Sequence, residues 1–159
     1  MFCLFTFPLL SETNQTKVPK FSLLDQRGKV FTDKIAKGKT FFLLGCSFTD
    51  IVLCRKHGRK IYWKMQTLIS ESDPVEFIAF VNLSGAPSGA FDYISKEKDK
   101  EYESILLDKQ GSLAEGLSQG KTFLRVFSRK GRLIHAESFQ SVQDSDVIRL
   151  FDLIRKERP

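Results

Sequence analysis

Two uninterrupted apolar runs constrain this 159-residue chain more than any other feature: "KTFFLLGCS" at 39–47 and "VEFIAFVNL" at 75–83. Each has the length of a strand, and neither alternates with polar residues. A strand of that kind is buried on both faces, the usual condition of a parallel strand covered by connecting helices. Between them, Ile51, Cys54, Ile61, Met65, Leu68 and Ile69 recur at helical spacing, mostly on one face. Ser47, Thr49 and Asp50 are the candidates to cap that helix. The unit strand–helix–strand sets the fold class, and the rest of the chain has to extend it.

Upstream, "KFSLLDQRGKVFTDK" places a turn at Asp25–Gly28 between two short strand-like runs. Downstream come a helix-like stretch around Ala90 to Lys98, then "ESILLDKQGSLAEGLS", which reads as a short strand, a turn and a short helix. "KTFLRVFSRKGRLIHAESF" alternates in period two about Arg129-Lys130-Gly131, a hairpin. The last helix, Asp144 to Arg158, sets Val147, Leu150, Phe151 and Ile154 on one face, with acids at its start and cations at its end as the helix dipole favours. The fold class is α/β: a three-layer sandwich with a mixed central β-sheet flanked by helices.

The opening "MFCLFTFPLLSE" is apolar but too short to span a bilayer. It has the length of a signal core without the basic flank or small-residue cleavage site of one. Residues 1–17 are read as a tail or a truncated signal segment, and 18–159 as one domain. No transmembrane segment is expected, and the compartment stays open between cytoplasm and cell envelope, because three cysteines suit either. The net charge of +6 permits an acidic protein partner. Nucleic-acid binding is not expected, since the aromatics occupy core-like strand positions instead of alternating with surface cations. Cofactor and metal motifs are absent: no CxxC…CxxC and no Cys/His zinc spacing occurs.

Chemistry concentrates in "GCSFTDIVLCRKHGRK", residues 45–60, which holds Cys46, Cys54 and His57. A cysteine in the first turn of a helix feels its positive end, and Arg55, Lys56, Arg59 and Lys60 favour thiolate over thiol. His57, three residues on, shares the face of Cys54 and is placed to accept a proton, although a lone helix histidine reads more simply as solvent-facing. Cys46, eight residues earlier at the strand end, is placed to resolve an oxidised Cys54 if the loop brings the Cα atoms within roughly 4.4–6.8 Å. Three readings stand at this point: a redox pair, two small core residues that never react, and a metal site. The Lys56, Lys60, Lys64 stripe reads as a solvated face, or a contact for an acidic partner or phospholipid headgroups. Arg125, inside "FLRVF", reads as exposed, the other reading being a pair with a buried anion such as a thiolate. His135 reads as structural.

Several segments resemble the peroxiredoxin and redoxin branch of the thioredoxin-like superfamily. "VPKFSLLDQRGKVF" is similar to its opening, through Pro19, Phe21, Leu23, Asp25, Gly28 and Lys29; "GKTFFLLGCSFTDIVLCR" is similar to the strand that delivers its active-site loop. "ESILLDKQGSLAEGL" and "FLRVFSRKGRLIHAE" resemble its later Leu-Asp segment and closing hairpin. The resemblance spans about residues 18 to 156. It implies a thioredoxin-like domain acting as a thiol-disulfide oxidoreductase or thiol-dependent peroxidase on a protein thiol, a protein disulfide or a peroxide. Cys54 would be the reactive thiol, Cys46 its resolving partner and His57 their neighbour. The departures are specific. Ile51 stands where Cys-x-x-Cys has its first cysteine, and Ile51 and Ser47 stand where peroxiredoxins carry threonine or serine and proline. Lys121 or Thr122 stands near the usual cis-proline, and "SQGKTFL" lacks the histidine of the copper-chaperone relatives. These departures favour the alternative, a non-catalytic thioredoxin-like binding or assembly module with a basic helix face.

Overall fold

The computed structural model describes residues 15–96 and 103–159. The N-terminal apolar run, Cys3 and the end of the expected helix at 97–98 lie outside the described residues. A short antiparallel pair, β1 (Ser22–Leu24) and β2 (Val30–Thr32), precedes the main sheet. That sheet comprises β3 (Thr40–Ser47), β4 (Val75–Asn82), β5 (Ile105–Asp108), β6 (Thr122–Phe127) and β7 (Leu133–Phe139), in the order β5-β4-β3-β6-β7. β3, β4 and β5 run parallel, while β6 and β7 join antiparallel. The helices are α1 (Ile51–Gln66), α2 (Ala90–Lys96) and α3 (Asp144–Lys156). The α/β sandwich with a mixed sheet is therefore as the periodicities indicate.

Topology explains which face each helix takes. The crossovers β3-α1-β4 and β4-α2-β5 step in the same direction across the sheet, so right-handed connections put both helices on one face. Ile61 and Met65 of α1, Ile94 of α2 and Leu150 and Ile154 of α3 share one core cluster with Phe42, Leu44 and Cys46 of β3. The opposite face is covered by the β1–β2 hairpin, the 3-10 turn Asp33–Ala36 and the loop around Leu113, against Phe41, Leu43, Phe80 and Phe127. This third layer is made of a hairpin and loops.

The short helix expected after β5 is absent. Asp108, fully buried, accepts from Ser112 N at 2.9 Å, Ser112 Oγ at 3.0 Å and Leu113 N at 2.7 Å. Gly111 and Gly116 take φ of +72° and +84°, which closes successive turns and excludes a helix. No side chain caps α1 either: a 3-10 turn, Phe48–Asp50, leads into it, and the Asp50 carboxylate accepts from Gly120 N at 3.0 Å instead. Thr16 and Lys17 pair with the final hairpin, Leu133 N donating to Thr16 O at 2.8 Å.

Candidate functional site

Strand parity points Cys46 to the helix-covered face together with Phe42 and Leu44, one residue before β3 ends. Cys54 lies in the first turn of α1 with Ile51, His57, Ile61 and Met65 on the buried side of the helix. The 3-10 turn between them folds the chain back and leaves the two thiols near enough to influence one another. Both are free and buried, Cys46 fully and Cys54 to within 3%.

Interaction with Cys54 pushes the Cys46 thiol far above the ordinary cysteine range; burial and the nearby Asp50 carboxylate push the same way, and Arg55 opposes them. Cys46 therefore keeps its proton at neutral pH.

His57 is buried, 2% exposed, which corrects its reading as a solvent-facing helix residue. Its Nδ1 lies 2.8 Å from Thr122 Oγ1 at the start of β6, itself fully buried. Burial lowers its pKa, and Lys56 and Lys60 lower it further, so the imidazole is neutral at pH 7. The structure thus brings Cys46 and Cys54 together and takes His57 Nδ1 to Thr122. In the sequence Thr122 stands out only for its place near the missing proline; its partnership with His57 spans 65 residues.

A cleft of about 340 Å³ opens beside the pair, between α1 and the β4–β5 half of the sheet. Phe42, Leu44, Phe77, Ala79 and Ile105 supply its apolar lining. Cys54 and Gly58 form part of the helix wall, and Lys29, Arg55, Arg59, Glu76 and Glu103 add charged groups to the lining.

Two further expectations are corrected. Arg125 is 1% exposed and lies on the sheet face opposite the cysteines, so it cannot pair with their thiolates. It donates through Nη2 to Leu113 O at 2.9 Å and through Nη1 to Gln15 Oε1, with its guanidinium carbon 5.7 and 5.6 Å from the Phe80 and Phe123 ring centroids. Burial draws its pKa down to about 10, against the pull of Glu115 and Asp108. The lysine stripe is only partly solvated: Lys60 and Lys64 each lie 3.5 Å from the Asp144 carboxylate at the start of α3. His135 bonds Glu137 at 2.9 Å within β7. Among the described residues, no three His, Cys, Asp or Glu side chains come together as metal ligands would, and no helix is long and apolar enough to cross a membrane.

No family model matches the chain, and no curated protein does. Solved structures do. The thioredoxin domain of a thiol-disulfide oxidoreductase from Bacteroides vulgatus superposes with a TM-score of 0.63 at 12% identity, over 89% of this chain and 99% of that one. A thiol:disulfide interchange protein of the thioredoxin family from Chlorobium tepidum gives 0.61 at 16%, over 91% and 97%. An exposed thioredoxin lipoprotein of Streptococcus pneumoniae gives 0.59 at 17%, over 86% and 98%. The fold of this chain is thioredoxin-like.

Proposed function

We propose that the protein is a thioredoxin-fold dithiol that carries out thiol-disulfide exchange, with Cys54 as the attacking sulfur and Cys46 as its resolving partner. The mutual influence of the two thiols carries this reading, because neighbouring sulfurs can close a disulfide with little movement of either Cα. The likeness in fold to the structures named above, among them a thiol-disulfide oxidoreductase and a thiol:disulfide interchange protein, supports it.

The reaction balances as follows. The Cys54 thiolate attacks one sulfur of a substrate disulfide, that S–S bond breaks, and the departing thiolate takes up a proton. Cys46 then gives up its proton, attacks the Cys54 sulfur and displaces the second substrate thiol. The products are two substrate thiols and a Cys46–Cys54 disulfide, which an external dithiol returns to the reduced state. With a peroxide as substrate, Cys54 becomes a sulfenic acid as an alcohol or water departs, and condensation with Cys46 expels water. His57, held neutral and bonded to Thr122, is a positioning residue that ties the first turns of α1 to β6.

Burial of both sulfurs favours the other reading, a thioredoxin-like binding or assembly module whose cysteines are core. Peptide mapping by mass spectrometry after one equivalent of hydrogen peroxide, beside a dithiothreitol-reduced control, separates them. Exchange chemistry requires a reversible Cys46–Cys54 disulfide. Two intact thiols, alkylated only after denaturation, would remove the dithiol and leave the module.

A further inference from the structure

We propose that the end of the sheet remote from Cys46 is a docking surface for an anionic lipid membrane, with the dithiol turned away from the bilayer. The proposal uses neither cysteine and goes beyond the exchange reading.

Three segments meet at that end: residues 17–20, residues 33–39 and the β6–β7 turn, 128–132. Val18 N donates to Gly131 O at 3.0 Å, and Lys17 pairs with Arg132. Arg129 Nε donates to Gly38 O at 3.3 Å. Asp33 N donates to Phe21 O at 3.2 Å, beside the Lys20–Asp33 ion pair at 2.9 Å. Phe41 near the start of β3 and Phe127 at the end of β6 are cross-strand partners, which fixes the shared end. Cys46 lies six residues along β3 from Thr40, roughly 20 Å away at the rise of a strand.

These sixteen residues carry eight cations and one carboxylate. Lys20 holds that carboxylate, Asp33, and Lys39 holds Glu76 at 2.7 Å. The other six cations are Lys17, Lys34, Lys37, Arg129, Lys130 and Arg132. All six are exposed, and none has a carboxylate within ion-pair distance among the described residues. α3 ends beside them, Arg129 N donating to Glu157 Oε2 at 3.0 Å. There Arg155, Lys156 and Arg158 are balanced by Asp152, Glu157 and the Asp73 partner of Arg158. The stretches 1–14 and 97–102, outside the described residues, contain four carboxylates and two lysines, too few to reverse the surplus.

Two features select a membrane among polyanions. None of the exposed large apolar side chains lies within the three segments. Protein interfaces are anchored on aromatic and apolar hot spots, and single-stranded nucleic acid on aromatic stacking. A plane of anionic headgroups asks only for cations near its surface. The second feature is the apolar run "MFCLFTFPLL", joined to Lys17 by six residues that span at most about 22 Å. An apolar sequence tethered beside a basic surface supplies the two signals that stable membrane attachment requires. A nucleic-acid duplex is as highly charged but gives apolar side chains no place to go.

The test is cosedimentation of the full chain with vesicles of phosphatidylcholine and phosphatidylglycerol at about 2:1, and with phosphatidylcholine alone. Partition into the mixed vesicles should be at least about tenfold the greater, and should fall as salt is raised. At about fivefold per cation, Lys37→Gln with Lys130→Gln should lower it about 25-fold. Lys56→Gln with Lys121→Gln removes the same charge from the other end and should leave it within about twofold of wild type. Phe5→Ser with Leu9→Ser should lower it at least about tenfold. Equal partition into pure phosphatidylcholine, equal losses from the two lysine pairs, or no loss from the Phe5 and Leu9 changes would each overturn the proposal. Displacement from the vesicles by duplex DNA at equal phosphate concentration would assign the surface to nucleic acid instead. Cys54→Ser should partition as wild type does, so failure of exchange chemistry and failure of docking are separate results.

Discussion

Gly45→Ala is a single methyl group whose consequence can be worked from distances. Gly45 sits in the middle of β3, opposite Phe80 of β4, one residue before Cys46. A Cβ there would lie 2.2 Å from both Cε1 and Cζ of the Phe80 ring and 3.0 Å from Cε2. Carbon atoms pack at about 3.5–4.0 Å, so the ring has to retreat by more than an ångström. It has nowhere open to go, being fully buried in the cluster that holds Leu43 and Leu106. Overpacking of this kind costs about 1–3 kcal/mol. Replacing glycine within a strand returns roughly 0.5–1 kcal/mol. The clash wins, with a net loss of about 1 kcal/mol, which for a domain of this size lowers the melting temperature by roughly 2–4 °C. Thermal unfolding followed by circular dichroism measures it. A second arm tests the cause: in a Phe80→Leu background the same substitution should cost far less, a coupling of about 1 kcal/mol or more. Gly45→Ala as stable as wild type, or strictly additive with Phe80→Leu, would refute the packing described for the sheet.

Other expectations follow from single contacts. His57 has a folded pKa below its ordinary 6.5, so its stabilising contribution is complete above that pH and is lost as pH falls through the folded value. His57→Asn, which keeps a polar atom for Thr122 without a titrating ring, should flatten the decline of the urea midpoint between pH 7.5 and 5; parallel declines would contradict the burial of an uncharged imidazole. Gln15→Ala removes one of the acceptors on Arg125, whose Nε already has no partner among the described residues, and should destabilise by about 1–3 kcal/mol in urea. Asp108→Ala leaves the amides of Ser112 and Leu113 without their carboxylate, at a cost of about 3 kcal/mol, with faster hydrogen exchange at Leu113 as the local sign. Arg158→Ala should return Asp73, held near 2 by that guanidinium at 2.7 and 2.8 Å, toward its ordinary 3.8 in a carboxyl titration by NMR.

What was legible in the chain was local. The apolar runs of β3 and β4, the Arg129–Gly131 hairpin and the amphipathic face of α3 are properties of contiguous residues, and they are where their patterns put them. What misled was local as well. Leu113 and Leu117 have helical spacing, yet the buried carboxylate of Asp108 captures the amides that would have begun a helix. Arg125 shares strand parity with Phe123 and Phe127, yet a cation in a strand reads as exposed unless its acceptors are known. Its acceptors, however, lie 12 and 110 residues away, and no window along the sequence contains them. His57 is the same case. Its position three residues after Cys54 fixed the face it occupies, but the partner that makes a buried imidazole tolerable belongs to another strand. The short loop between Cys46 and Cys54 marks them as neighbours in the sequence; the cleft has no such mark, since it is built from α1, the sheet and the β1–β2 pair at once.

The pairing of Thr16 and Lys17 with the last hairpin has a consequence in time. Lys17 meets Arg132, and Gln15 waits for Arg125, 110 residues downstream. At ribosomal rates of roughly 5–20 residues per second, the first of these residues is made about 5–25 s before its partners. Until then Phe21, Leu23 and Phe31 have no β6–β7 hairpin beside them, and the parallel strands in between lack their antiparallel half. Closure of this domain is therefore a late event of synthesis, and the nascent chain is one that a holding chaperone would be expected to meet.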